Sequence, residues 1–190
     1  MDNGICINPM IPIRASSSHR AEMSDQLLFG EFFDILETKG DWYYIRRIPD
    51  AYEGWIESAH FIFLDKEQTK NLGRRAARIV SQPYLEIQKD DQPMWIPGGS
   101  VLPFTEGSTG SFNLAGSRFT VRGALSEPVS DPGKQVEPRA RGYLNAPYLW
   151  GGKTIFGIDC SGFTQILMRM CGIDLPRDSH QQVNHGRVLD

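Results

Sequence analysis

Cys160 is the residue in this chain best placed to act as a nucleophile. It sits in Asp159-Cys160-Ser161-Gly162, which begins seven residues after Pro147-Tyr148-Leu149-Trp150-Gly151-Gly152. It opens a stretch in which Phe163, Ile166, Leu167 and Met170 fall at i, i+3, i+4 and i+7, the spacing of a helix with one buried face. A thiol in a first helical turn lies beside N–H groups with no carbonyl partner and at the positive end of the macrodipole. Both favour thiolate, the reactive form. A free cysteine on an apolar helix is otherwise a common core filler, so the flanking segments decide for the nucleophile. Gly151-Gly152 permits a tight turn under either reading.

The other cysteines do not share this setting. Cys6, Cys160 and Cys171 do not form a disulfide framework. Cys160 and Cys171 are eleven residues apart on one expected helix. That is roughly 16 Å at the helical rise, against the ~7 Å that a disulfide can bridge. Cys171, beside Gly172, reads as a small apolar filler. No Cys/His spacing supports zinc, and neither a metal nor a cofactor is expected.

Composition narrows the function classes. With 190 residues, 40% hydrophobic and a formal charge of −3, the chain has no basic stripe of the kind nucleic-acid binders carry. Its main basic cluster, Arg74-Arg75 with Arg78, reads as a solvated helix face. No apolar run approaches the ~18 residues of a membrane span. The N-terminus, from Met1 to Pro9, lacks the basic and apolar regions of a signal peptide. As written the chain fits the cytoplasm, or the periplasm or cell envelope if an export signal has been removed.

The cysteine helix follows a β-rich region. From Ile5 to Leu64, short aromatic and β-branched runs such as Glu31–Glu37 and Trp42–Arg46 alternate with turns, which predicts a small barrel or sandwich. Trp42 and Trp55 are expected in its core. Lys66 to Val80 is polar and helix-prone, a bridge to a second β-rich stretch from Pro83 to about Ser126. That stretch predicts a second small barrel. Three prolines and Gly133 between Ser126 and Pro138 predict a linker, and Arg139 to Asn145 a short helix.

Three linked segments, Tyr143 to Gly152, Asp159 to Phe163, and Leu175-Pro176-Arg177-Asp178-Ser179, closely resemble the NlpC-type bacterial cell-wall cysteine peptidases. The first β-rich region is similar to a bacterial SH3-like domain, through Ile11–Arg14, Gln26–Glu31, Gly40–Tyr43 and Tyr52–Ile56. The resemblance implies an α+β multidomain protein: two SH3-like β-barrels followed by the N-terminal part of a papain-like cysteine peptidase domain. Its divisions would be 1–65 for the first SH3-like domain, 66–126 for a connector plus the second, 127–138 for a linker and 139–190 for a partial peptidase domain.

The same resemblance implies cleavage of γ-D-glutamyl–diamino acid bonds in peptidoglycan stem peptides that carry a free N-terminal amine. Cys160 would attack the carbonyl, and its own N–H together with Tyr148 would stabilise the oxyanion. Asp159 and Ser161 would bind the substrate's amine and α-carboxylate. Asp178 and Ser179 would line the same end of the groove, with Trp150 as a wall. Glu22 and Tyr52 would cap the substrate's N-terminus from the first barrel. Glu22 could equally be a surface carboxylate, Trp150 a core aromatic, and Asp178 a helix cap.

One departure from the family pattern bears on catalysis. The family's histidine lies well downstream of its cysteine, and His180 and His185 come too early to match it. His19 and His60 fall in the first barrel. The resemblance therefore implies the front portion of an enzyme, without the base that turnover requires. The alternatives are a non-catalytic binder of cell-wall peptides built on two SH3-like domains, or another papain-like thiol reaction such as acyl transfer.

Overall fold

A computed structural model of the protein describes residues 2–73, 77–103, 110–114, 116–123 and 131–187. Seven strands form one antiparallel sheet: β1 (Asp2–Cys6), β2 (Met10–Arg14), β3 (Met23–Leu28), β4 (Phe32–Lys39), β5 (Trp42–Arg47), β6 (Glu53–Glu57) and β7 (Phe61–Leu64). Their order is β3-β2-β6-β5-β4-β1-β7. Every strand contributes to one interior, made by Cys6, Ile11, Ile13, Leu27, Phe33, Ile45, Ile56 and Phe61. The strict alternation of strand side chains corrects one expectation. Tyr43 and Ile45 point inward on β5 and Ile56 on β6, so Trp42 and Trp55 face outward and are only half-buried. Trp55 leans on Tyr44, and Trp42 meets His19 edge-on.

The connector begins with a reciprocal cap. The Gln68 N–H donates to Asp65 Oδ1 at 2.7 Å and the Asp65 N–H to Gln68 Oε1 at 2.9 Å, which starts α1 (Lys66–Gly73). Arg74 and Arg75 lie outside the described residues. The second unit contains β8 (Arg78–Ile79), β9 (Tyr84–Lys89), β10 (Gln92–Pro97), β11 (Val101–Leu102), β12 (Ser111–Leu114) and β13 (Ser117–Val121). Four of these form a sheet in the order β10-β9-β13-β12, while β8 pairs with β11. Asp90 and Asp91 both have positive φ, the geometry of a two-residue hairpin turn between β9 and β10. Parts of the expected second barrel and linker, residues 104–109 and 124–130, lie outside the described residues.

The third unit starts earlier than the prolines suggest. Residues 132–138 of the expected linker start α2 (Pro132–Arg141), which runs through Pro138 and ends at Arg141, inside the stretch 139–145 expected to be helical. Pro132 occupies the first turn, where no N–H is needed, and Glu137 pairs with Arg141 one turn on. Then come β14 (Lys153–Thr154), β15 (Gly157–Ile158), α3 (Cys160–Met170) and α4 (Ser179–Gln182). Among the described residues no helix is long and apolar enough to cross a membrane.

Three consecutive residues join the units. Leu27 points into the barrel, Leu28 packs with Tyr143, Ile158, Ile166, Leu167 and Met170 of the cysteine unit, and Phe29 packs with Phe112 and Phe119 of the second β unit. An unbroken apolar run of this kind is what a segment covered on both faces requires. Leu28→Ala should therefore destabilise the protein by about 2–5 kcal/mol in urea unfolding. A loss below about 1 kcal/mol would mean that Leu28 is not a keystone of that third core.

Candidate active site

The sulfur-bearing residue sits at the first position of α3, with Asp159 as the N-cap. Asp159 Oδ1 accepts from the Gly162 N–H at 2.7 Å, and the Asp159 carbonyl accepts from Phe163 N–H at 2.9 Å. These bonds use first-turn donors beyond Cys160 and leave the N–H of Cys160 itself with no acceptor among the described residues. Cys160 is exposed, whereas Cys6 and Cys171 are buried. Burial pushes the Cys6 thiol far up, so that group is inert. The chain before α3 folds back on itself: Tyr148 bridges Ile158, and the Gly152 carbonyl accepts from Asp159 N–H. Gly151 has φ +74°, and a Cβ there would fall 2.2 Å from the Met23 carbonyl oxygen. Only glycine lets this loop press against β3.

The expected site residues divide into two groups. Tyr148 and Trp150 are 69% and 61% exposed and, with Leu149 and Phe156, form an open aromatic surface on the loop leading to Cys160. Trp150 is therefore not a core residue. Glu22, just before β3, accepts from Trp150 Nε1 at 2.5 Å, which brings a barrel carboxylate to this loop. Tyr52 is half-buried; burial holds its phenol above the ordinary range, with Asp25 and Asp178 adding to the effect against a hydrogen bond with Ser24. Asp178 is the N-cap of α4, its carbonyl accepting from the Gln181 and Gln182 N–H groups, while its side chain makes no cap bond. Ser179 is exposed at the start of α4, and the bond tying α4 to Ser161 comes instead from Gln182 Nε2, 3.0 Å from the Ser161 carbonyl.

Asp159 also holds the loop that carries Cys160. Its carboxylate accepts from Gly162 N–H and Ser161 Oγ on one oxygen, and from Gly151 N–H and Arg177 Nη2 on the other. Four donors match the acceptor capacity of a carboxylate. These bonds fix the loop that carries the nucleophile. No histidine among the described residues bonds Cys160. His180 and His185 are exposed, and His19 and His60 both face Glu57 on the barrel.

Sequence reasoning missed the buried charges beneath the loop. Arg177 reaches Asp25 at 2.7 Å, Asp159 at 2.6 Å and Ser161 Oγ at 2.6 Å. Lys153 meets Asp25 at 3.3 Å, and its N–H donates to Gln26 Oε1 at 2.8 Å. Arg169 pairs with Glu31, while Arg47 spans Asp25 and Asp50, and Gln165 bonds Asp50 at 2.9 Å. Burial alone would raise Asp25 and Glu31, yet their cations outweigh it and hold both carboxyls below the usual range. Burial and Arg47 push Lys153 down, against Asp25, Glu31 and Asp50. A cavity of about 500 Å³ lined by Phe32, Ile48, Ile79, Val101 and Arg169 lies toward the far end of α3. Its Arg169 is nine residues from Cys160, so the cavity is separate from the thiol.

An exposed cysteine at a helix start, on a unit docked against a β-rich unit whose Glu22 reaches the loop before it, defines a thiol unit supported by a neighbouring sheet. Residues 13–61 match the bacterial dipeptidyl-peptidase SH3 domain and residues 145–189 match the NlpC/P60 family. The chain is 29% identical over 177 residues to the γ-D-glutamyl-L-lysine dipeptidyl-peptidase of Bacillus subtilis (strain 168), covering 85% of this chain and 58% of that protein. It thus spans little more than half of that relative's length. Dipeptidyl-peptidase 6 of Lysinibacillus sphaericus is 26% identical over 200 residues, 93% of this chain and 72% of the relative. The solved structure of an NlpC/P60 family protein from Bacillus cereus ATCC 10987 shares the fold with a TM-score of 0.84 at 16% identity, over 99% of this chain and 78% of the other.

The charge network has a definite pH signature. Asp25, Glu31 and Asp50 all have folded pKa values below their unfolded ones. Their stabilisation is complete above the unfolded values near 4 and is lost as pH falls through the folded ones. The urea midpoint should therefore drop steeply from about pH 5 to about pH 2. An unchanged midpoint across that window would show that the buried carboxylates contribute no net linkage.

Proposed function

We propose that the protein is a cysteine peptidase unit acting on cell-wall peptides with a free N-terminal amine, at the bond between γ-D-glutamate and a diamino acid. The observation that carries this reading is the single exposed thiol at the start of α3, following a loop to which Glu22 of the barrel is joined through Trp150. The γ-D-glutamyl-L-lysine specificity in the name of the Bacillus subtilis relative supports the choice of bond. The thiolate would attack the γ-carbonyl carbon, forming a C–S bond and an oxyanion held by the Cys160 N–H and the Tyr148 hydroxyl. Collapse would break the C–N bond and release the diamino acid's amine, which takes up a proton. Water would then hydrolyse the thioester.

In this reading Glu22 receives the substrate ammonium, with Tyr52 beside it. Asp159, Ser161 and Asp178 border the same end, Ser179 stands at its margin, and Trp150 forms the wall. The second β unit, residues 66–126 with its connector, is assigned as a second SH3-like barrel between a first one at 1–65 and the cysteine unit, with residues 127–138 leading into it. The rival reading is a peptide-binding protein that does not turn over.

The test uses a peptide with a free amine and a γ-D-glutamyl–lysine bond, read by product analysis and intact mass for the thioester. Cys160→Ala should lower kcat/KM by at least about a thousandfold. If that variant cleaves like the parent, the peptidase assignment fails. If the parent binds the peptide yet forms neither thioester nor product, the binding reading takes its place. Glu22→Gln should raise KM about tenfold for the free-amine peptide, the scale of one charge-assisted hydrogen bond, and leave an N-acetylated peptide unaffected. Equal effects on both peptides would remove Glu22 from amine recognition.

A further inference from the structure

We propose that Arg177 is a positioning residue for Cys160 and that Asp25 is the barrel's handle on it, so that docking of the first barrel sets the geometry of the nucleophile. The proposal rests on Cys160 being the nucleophile, though not on which peptide it attacks.

One guanidinium makes three bonds in three directions. Nη2 donates to Asp159 and Nη1 to Ser161 Oγ, the residues immediately before and after Cys160. Nε donates to Asp25 on β3 of the barrel. Arg177 is only 3% exposed and Asp25 fully buried, so neither group can exchange these partners for water without the units separating. The planar fork fixes both flanks of the cysteine relative to one strand of another unit, which a point charge on a flexible stem cannot do. A second set of bonds runs parallel to it: Lys153 meets Asp25, its N–H meets Gln26, and Gly151 backs onto Met23. The Asp159 oxygen that Arg177 holds also accepts from Gly151 N–H, while the other oxygen caps Gly162. A shift of Asp25 would therefore be felt at the turn before Cys160 and at the helix start after it.

The test reads the thiol directly, by alkylation of Cys160 with iodoacetamide at pH 7 and mass-resolved peptide mapping. Arg177→Lys keeps the charge and loses the fork; Asp25→Asn leaves every residue of the cysteine unit in place and weakens its ionic tie to the barrel. With near-UV circular dichroism like the parent's, both should slow Cys160 alkylation by about three- to tenfold, the range of coupled neighbours. Parental rates in both folded variants overturn the proposal. Should either variant fail to fold, hydrogen exchange of the unsubstituted protein in urea decides. The Gly162 N–H should open together with the barrel amides of β5, and opening at a clearly lower free energy than the barrel overturns the coupling. Because alkylation needs no substrate, loss of this coupling with Cys160-dependent cleavage intact removes only the positioning role. Intact coupling without cleavage removes only the peptidase reading.

Discussion

Burying eight charges between the barrel and the cysteine unit is the constraint on which the structure depends. Asp25, Glu31 and Asp50 from the barrel, with Asp159 from the loop, face Arg47 of the barrel and Lys153, Arg169 and Arg177 of the cysteine unit. Four anions and four cations balance, so no net charge is trapped. Each ion nevertheless gives up its hydration, and such pairs contribute little net stability. What they impose is geometry. Removing one partner strands another in a dry site, at a cost of about 3–5 kcal/mol. A docking angle that misaligned these groups would incur that cost several times, so the network selects one arrangement of the units.

The two interfaces of the barrel differ for this reason. Toward the second β unit it offers Ile5, Phe29 and Leu64, which merge with that unit's apolar core. Apolar burial is non-directional and tolerates small shifts of one unit against another. Toward the cysteine unit, among the described residues, the barrel places Leu28 in the buried apolar cluster and Met23 against Gly151, beside ion pairs and hydrogen bonds. A join that only had to hold two units together could have been built like the first. The join beneath Cys160 is directional.

What could be read from the sequence follows the range of the interactions. The cysteine helix was legible because its periodicity and its N-cap are local, and Asp159 caps α3 as an acidic residue before a helical run should. The strands of the barrel were legible through alternation, yet Trp42 and Trp55 were misplaced because aromatic character outweighed phase. Helix α2 was hidden by its prolines, which read as a linker although Pro132 occupies a position that tolerates it. The ion network was not legible at all. Asp25 and Arg177 are 152 positions apart, and as single charged residues they look like surface. Arg177 lay inside a quoted motif, and Leu27-Leu28-Phe29 was an apolar run too long for one strand face, but neither revealed its partner.

The way β3 is used connects fold to chemistry. From Glu22 to Phe29 the chain touches in turn Trp150, the Gly151 turn, Lys153 and Arg177, the Lys153 N–H, the barrel interior, the α3 core and the second β unit. Groups that would contact substrate lie at one end of this segment and purely structural anchors at the other. A rigid strand transmits position along its length, whereas a loop would absorb it. A carboxylate meant to receive a substrate amine on a different unit from the nucleophile must keep its distance from that nucleophile. Placing Glu22 one residue before a strand pinned by both ions and apolar contacts meets that requirement, and it explains why the open, aromatic end of the site can remain exposed while everything beneath it is dry.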